Sequence, residues 1–170
     1  FSVGANLMNI GMLAMQKQYN VLDKFVSDFQ KINMRIRTSK IPVVVATQGY
    51  VFGGGCEISM HCDAGIYAAE SYIGLVEVGV GLLPGGGGTK EFALRASNDF
   101  FDGDVQTPTL IRYFKSIATA AVSTSAHEAY DLGYLNRERD FVSVNAPMNL
   151  ILAKEKVLEL SKNYMPASYR

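Results

Sequence analysis

Ile41 to Met60 reads IPVVVATQGYVFGGGCEISM, and three consecutive glycines stand there between an apolar run and a glutamate. Pro42 ends the preceding helical pattern, because the residue before proline is pushed out of the α region. Val43 to Thr47 is β-branched enough to read as a strand. Gly53, Gly54 and Gly55 cost conformational entropy on ordering and offer no side chain to pack, so their bare backbone must serve a purpose. The run CEISMHCD reads as a short helix whose N-terminus lies at those glycines. Such an end carries unpaired N–H groups and a partial positive charge, which makes the triplet a candidate anion or oxyanion site. A phosphate loop needs a Lys-Ser/Thr ending, and a dinucleotide fingerprint needs G-x-G-x-x-G. GGGCE supplies neither, and its Glu57 would repel a phosphate. Beside a polarised carbonyl the same acid could transfer protons.

The flanking segments alternate between helical and extended patterns, the mark of an α/β protein. Leu22, Phe25, Phe29, Ile32 and Ile36 step by three and four along one helix face. Met8, Met12 and Met15 extend that stripe upstream, and all eight read as core. AGIYAA and YIGLVE look like two extended runs, with Glu77 ending the second. LLPGGGG reads as a loop, its glycines Gly85 to Gly88 as a tight turn, and TKEFALRA as a helix with Thr89 near its cap. Asn98 to Thr109 is polar and turn-rich, as in a surface insertion. Helical patterns follow in TLIRYFKSIATAA and in STSAHEAYDLGYL, where Gly133 is the expected C-terminal stop. DFVSVN reads as a strand, and Asn145 with Pro147 opens a final helix, Met148 to Asn163.

Two acids stand out by context. Glu57 in GCEISM and Glu77 in GLVEVGV both lie among apolar residues, where an unpaired charge is expensive. Glutamates so placed have raised pKa values that suit general acid–base work near neutral pH. Cys56 could be imagined as a nucleophile, but no histidine sits in a Cys–His pattern with it, so a buried structural thiol is the stronger reading. His61 reads as a core histidine with its bonds satisfied and His127 as helix surface. His61, Cys62 and Asp63 are adjacent rather than spaced to converge on a metal.

Sixteen basic and sixteen acidic residues cancel over the 170-residue chain, which argues against a nucleic-acid or anionic-membrane surface. Apolar runs break well short of the roughly 20 residues of a membrane span, and Phe1 begins no charged leader. The two cysteines suit a reducing compartment, so a cytoplasmic location is expected, with an organelle matrix equally compatible. The opening FSVGANL reads as if entered at the end of a strand, so a truncated fragment of a longer protein is expected.

FSVGANL, the long run from IPVVVATQG to TKEFALRA, and STSAHEAYDLGYL together resemble the crotonase, or enoyl-CoA hydratase/isomerase, superfamily, in the family's order over most of Phe1 to Val144. AESYIGLVEVGVGLLPGGGGTKE, the insertion before YFKSIATAAVSTSAHEAYDLG, and the ending MPASYR resemble the hydratase-like domain of long two-part 3-hydroxyacyl-CoA dehydrogenase proteins of fatty-acid β-oxidation. The resemblance implies a ClpP/crotonase-like spiral of ββα units. Residues 1–145 would form its core without the N-terminal strands, and 146–170 the start of a C-terminal helical region. It implies an acyl-CoA thioester as substrate, with the backbone N–H groups of Ala5 and Gly54 as the oxyanion hole and Glu57 and Glu77 as the hydratase carboxylates. Val3, Asn6, Leu7 and Gly53 would contact CoA or substrate, although Asn6 stands where many members carry aspartate. Neither a metal nor a cofactor is implied for these residues, while a fused dehydrogenase part would use NAD. A homo-oligomer is expected. The alternatives are a Δ3,Δ2-enoyl-CoA isomerase relying mainly on Glu77, and a non-catalytic docking or oligomerisation module.

Overall fold

Strand β1, Val44–Phe52, is followed at once by helix α3, Gly54–His61, and then by strand β2, Ala64–Gly74. The computed structural model describes residues 1–168. A third strand, β3 (Phe141–Ser143), completes a parallel sheet in the order β1-β2-β3. The β1–β2 register runs from Val44 opposite Ala64 to Phe52 opposite Gly74, with an irregularity between Thr47 and Gly49. Ser2 pairs alongside β1, exchanging 2.9 Å backbone hydrogen bonds with Tyr50 and Phe52. That pairing brings the segment from Phe1 to Ala5 to the glycine end of β1.

Helices α1 (Leu7–Met15) and α2 (Tyr19–Arg37) precede the sheet. Helices α4 (Gly88–Asn98), α5 (Thr107–Ala118) and α6 (Ala126–Asp131) separate β2 from β3, and α7 (Asn149–Leu160) closes the order. The α/β class therefore holds. The core centres on Tyr67, Phe92, Tyr134, Met60, Ile73 and Leu75, all essentially inaccessible. Phe92 lies 5.0 Å from the Tyr113 ring and 5.3 Å from that of Tyr134, distances typical of favourable aromatic pairs. Ser125 caps α6 by accepting the Glu128 N–H, while the Glu128 carboxylate accepts from Thr124. Gly133 follows with φ +85°, as its place at the helix stop requires. Helix α7 seats on the sheet through buried Ala153 and the Asn149 side chain, which donates to the Thr47 carbonyl at 2.9 Å.

Several local expectations change. The methionine stripe and the long helix are two helices, parted at Lys17, whose φ is +57°. Helix α1 buries no residue, and Met8 and Met15 are 80% and 86% exposed, so the stripe is surface rather than core. On α2, Phe25 and Ile32 are exposed as well, and the one buried residue is the polar Asn33. Its amide donates to the Gly86 carbonyl at 2.8 Å, tying α2 to the glycine loop. AGIYAA and YIGLVE begin and end a single strand that stops at Gly74, so Glu77 opens a 3-10 turn, Glu77–Val80, instead of ending a strand. Cys62 lies just beyond α3 in extended backbone. The residue capping α4 is Gly87, φ +113°, so Thr89 already lies inside the helix.

Candidate active site

The end of β1 delivers the glycine triplet into a cleft of about 200 Å³. Gly53 leaves β1 with φ +52° and ψ −123°, a conformation that side chains other than glycine rarely adopt. Its N–H donates to the Gly74 carbonyl at 2.9 Å, so the triplet is pinned to the end of β2. Glu77 follows Gly74 by three residues, and a methyl group on Gly53 would sit 2.9 Å from its Oε1. The same strand pair that fixes the triplet therefore fixes Glu77 beside it.

Glu57 lies in the first turn of α3 and is 2% exposed. Its Oε1 accepts the Gly88 N–H at 2.8 Å. A methyl on Gly86 would run into the Phe29 ring and fall 2.5 Å from Glu57 Oε2, so this glycine is bare because a ring and a carboxylate occupy the space. Burial raises the Glu57 pKa, and the backbone of Gly86 to Gly88 opposes that rise. Glu77 is pushed up to about 7, chiefly by burial; its own backbone N–H opposes the shift and the Glu57 charge adds to it. Its Oε2 is buried without a partner among the described residues. Glu57 thus takes support for its charged form from a separate loop, whereas Glu77 takes it from its own backbone N–H.

The cleft also places Ala5 and Gly54 on one wall. A methyl on Gly4 would lie 3.7 Å from the Gly54 nitrogen, so the two loops meet there. Among the described residues neither the Ala5 nor the Gly54 N–H finds an acceptor. Two free N–H donors, one at a helix N-terminus, can stabilise an oxygen that gains negative charge. Phe29 of α2 closes the cleft against both glycine loops, 3.1 Å from where a Gly54 Cβ would be.

Of the residues singled out by sequence, Val3, Ala5, Leu7, Gly53, Gly54, Glu57 and Glu77 all line this cleft. Asn6 does not; its side chain accepts the Asn9 N–H and caps α1. The thiol of Cys56 is wholly buried and pushed far above its ordinary pKa, and that of Cys62 is pushed up to about 12, in each case by burial. Neither is poised as a nucleophile. Sequence reasoning did not assign Gly88 as a donor to Glu57. The run PGGGG immediately before a helix carried that signal, since a bare helix N-terminus is also a seat for a carboxylate. His61 is buried as expected, yet its Nε2 has no hydrogen-bond partner among the described residues, contrary to the satisfied core histidine expected of it.

A sequence model of the enoyl-CoA hydratase/isomerase family matches residues 1–103. The Bacillus subtilis protein named "Probable 3-hydroxyacyl-CoA dehydrogenase" is 40% identical over 163 residues, covering 94% of this chain and 20% of its own length. A short-chain-enoyl-CoA hydratase of Clostridium acetobutylicum is 27% identical over 83% of this chain and 55% of its own. This chain thus spans about a fifth and about half of these relatives. The crystal structure of an enoyl-CoA hydratase from Polaromonas superposes with a TM-score of 0.73 at 22% identity, over 95% of this chain and 55% of that one, and shows the shared crotonase fold. With the family match spanning more than half the chain, and the glycine triplet and both glutamates inside it, the chain belongs to the enoyl-CoA hydratase/isomerase family.

Proposed function

We propose that the protein adds water reversibly to trans-2-enoyl-CoA thioesters, as a hydro-lyase of fatty-acid β-oxidation. The observation that carries this reading is the meeting of the buried Glu57, the half-buried Glu77 and two free backbone donors in one cleft. The thioester oxygen would lie against the Ala5 and Gly54 N–H groups, with Val3, Leu7 and Gly53 beside the bound thioester and Asn6 toward the nucleotide end. Glu57, whose charged form accepts the Gly88 N–H, takes a proton from water as the oxygen bonds to the β-carbon. The displaced electron pair moves to the thioester oxygen and is held there by the two donors. Glu77, pushed up to about 7, then gives its proton to the α-carbon, and proton exchange between the two acids resets the site. This division follows the rule that neighbouring acids with different support take opposite roles.

The name of the Bacillus subtilis relative supports a protein that also carries an NAD-dependent 3-hydroxyacyl-CoA dehydrogenase part. No helix among the described residues is long and apolar enough to cross a membrane, and two buried free thiols fit a reducing, cytoplasmic setting. The exposed apolar face of α1 supports a homo-oligomer. Supplying the purified protein with crotonyl-CoA and, separately, with a trans-3-enoyl-CoA tests the reaction class. Formation of 3-hydroxybutyryl-CoA is expected. Isomerisation of the second substrate without hydration of the first would make it an isomerase, and turnover of neither would leave a docking module.

A further inference from the structure

His61 is the last residue of α3, 1% exposed, and stands four residues after Glu57. Its Nδ1 lies 2.6 Å from the Glu57 carbonyl oxygen. A carbonyl oxygen only accepts, so Nδ1 carries the proton. The opposite edge of the ring rests on the second glycine loop: a methyl on Gly87 would meet Cε1 and Nε2 at 3.1 Å. Gly87 precedes the very N–H, that of Gly88, which donates to the Glu57 carboxylate. One ring therefore touches the main chain of Glu57 on one side and the loop that holds its carboxylate on the other.

The remaining ring nitrogen faces an acceptor. Nε2 lies 3.4 Å from Glu91 Oε1 and has no hydrogen-bond partner among the described residues. Arg37 from α2 and Lys90 from α4 pair with that carboxylate. Burial pushes the His61 pKa down to about 4; the Glu57 carbonyl opposes the shift, and the positive charges of Lys90, Arg37 and Arg95 add to it, so the ring is neutral. A neutral imidazole has one N–H to give. Moving it to Nε2 would serve Glu91 but would set a lone pair against the Glu57 carbonyl at 2.6 Å. An apolar side chain could fill this space without leaving a buried acceptor unpaired, so packing alone does not account for a histidine here.

We propose that His61 is a positioning residue for Glu57: its Nδ1–H fixes the turn of α3 that aims the carboxylate, and its ring edge holds Gly87 so that the Gly88 N–H stays on Oε1. The proposal rests on the hydration reading above. It is tested on protein whose wild-type hydration of crotonyl-CoA has first been measured, and a wild type without that activity would count against the reaction assignment, leaving His61 to be judged by the NMR measurement below.

His61→Asn can keep an amide N–H at the Nδ1 position, whereas His61→Phe fills the space without it. His61→Phe should lower kcat about 10- to 100-fold, the scale of a small misplacement of a reacting group, with KM little changed. The acid limb of its pH–rate profile should move to higher pH, because losing the Gly88 N–H removes an interaction that lowers the Glu57 pKa. His61→Asn should restore both kcat and the limb. Should His61→Phe fail to fold, His61→Gln makes the same comparison, since its amide reaches the Nε2 end and not the Glu57 carbonyl. In a protein without hydratase activity, the wild type should show a slowly exchanging His61 Nδ1–H proton in NMR spectra, and its absence would overturn the proposal. Wild-type kcat and pH profile in His61→Phe or His61→Gln would overturn it equally, as would an equal loss in His61→Asn.

Discussion

Glu77 concentrates the physical tension of the site. Its carboxyl is pushed up to about 7, chiefly by burial, with a buried Oε2 left unpaired among the described residues. The folded state therefore holds a proton that the unfolded chain, with an ordinary glutamate, releases at lower pH. Stability from this group is full below the ordinary glutamate range and is lost as pH rises through about 7. Glu77→Gln, which cannot ionise, should then melt at higher temperature than wild type above pH 7 and lose that advantage in acid, as thermal melts across pH will show. Catalysis should follow the same proton. With Glu77 as the acid, kcat/KM for hydration should fall on the alkaline side as that group titrates from about 7. At Gly54 a Cβ would meet the Phe29 ring at 3.1 Å. Gly54→Ala should thus displace the N–H and cost up to about 10²- to 10³-fold in kcat, the scale of one lost oxyanion donor.

At the scale of elements, the site depends on where strands end. The bond from Gly53 N–H to the Gly74 carbonyl joins the exits of β1 and β2, and Glu57 and Glu77 hang from those two exits. Gly53→Ala should strain a φ of +52° and press a methyl toward Glu77 Oε1. Such strain is worth about 1–3 kcal/mol, so both stability and hydration should fall, whereas Ser125→Ala should cost only the helix cap, about 1 kcal/mol in denaturant unfolding, and leave hydration intact. Glu57 was legible because strand, glycines and helix are contiguous in sequence. Glu77 was legible as an acid in apolar surroundings but not as a turn residue: the alternating pattern of YIGLVE continues past Gly74, while the backbone leaves the sheet there. A Cβ on Gly74 would sit 2.7 Å from the Ala121 carbonyl, a constraint from 47 residues further along the chain that no local pattern contains. The donor role of Gly88 and the contacts of the His61 ring with Gly87 and Glu91 are likewise long-range.

Over the whole molecule, hydrophobic periodicity located the helices but not what covers them. The spacing of Met8, Met12 and Met15 is helical, yet all three are exposed, as are Leu150 and Leu158 on α7. Apolar faces on this scale favour association. Sedimentation velocity should show a concentration-dependent oligomer, and a monomer at every concentration would contradict the homo-oligomer. The chain spans only 20% of its Bacillus subtilis relative, so the reaction is best judged at its two carboxylates. The most direct measurement is crotonyl-CoA hydration by wild type, Glu57→Gln and Glu77→Gln side by side. Wild type should hydrate the substrate, and each variant should lose about 10²- to 10⁴-fold, the usual contribution of a general acid or base. Hydration that survives intact in Glu57→Gln or Glu77→Gln would contradict a mechanism in which Glu57 takes the proton from water and Glu77 gives one to the α-carbon.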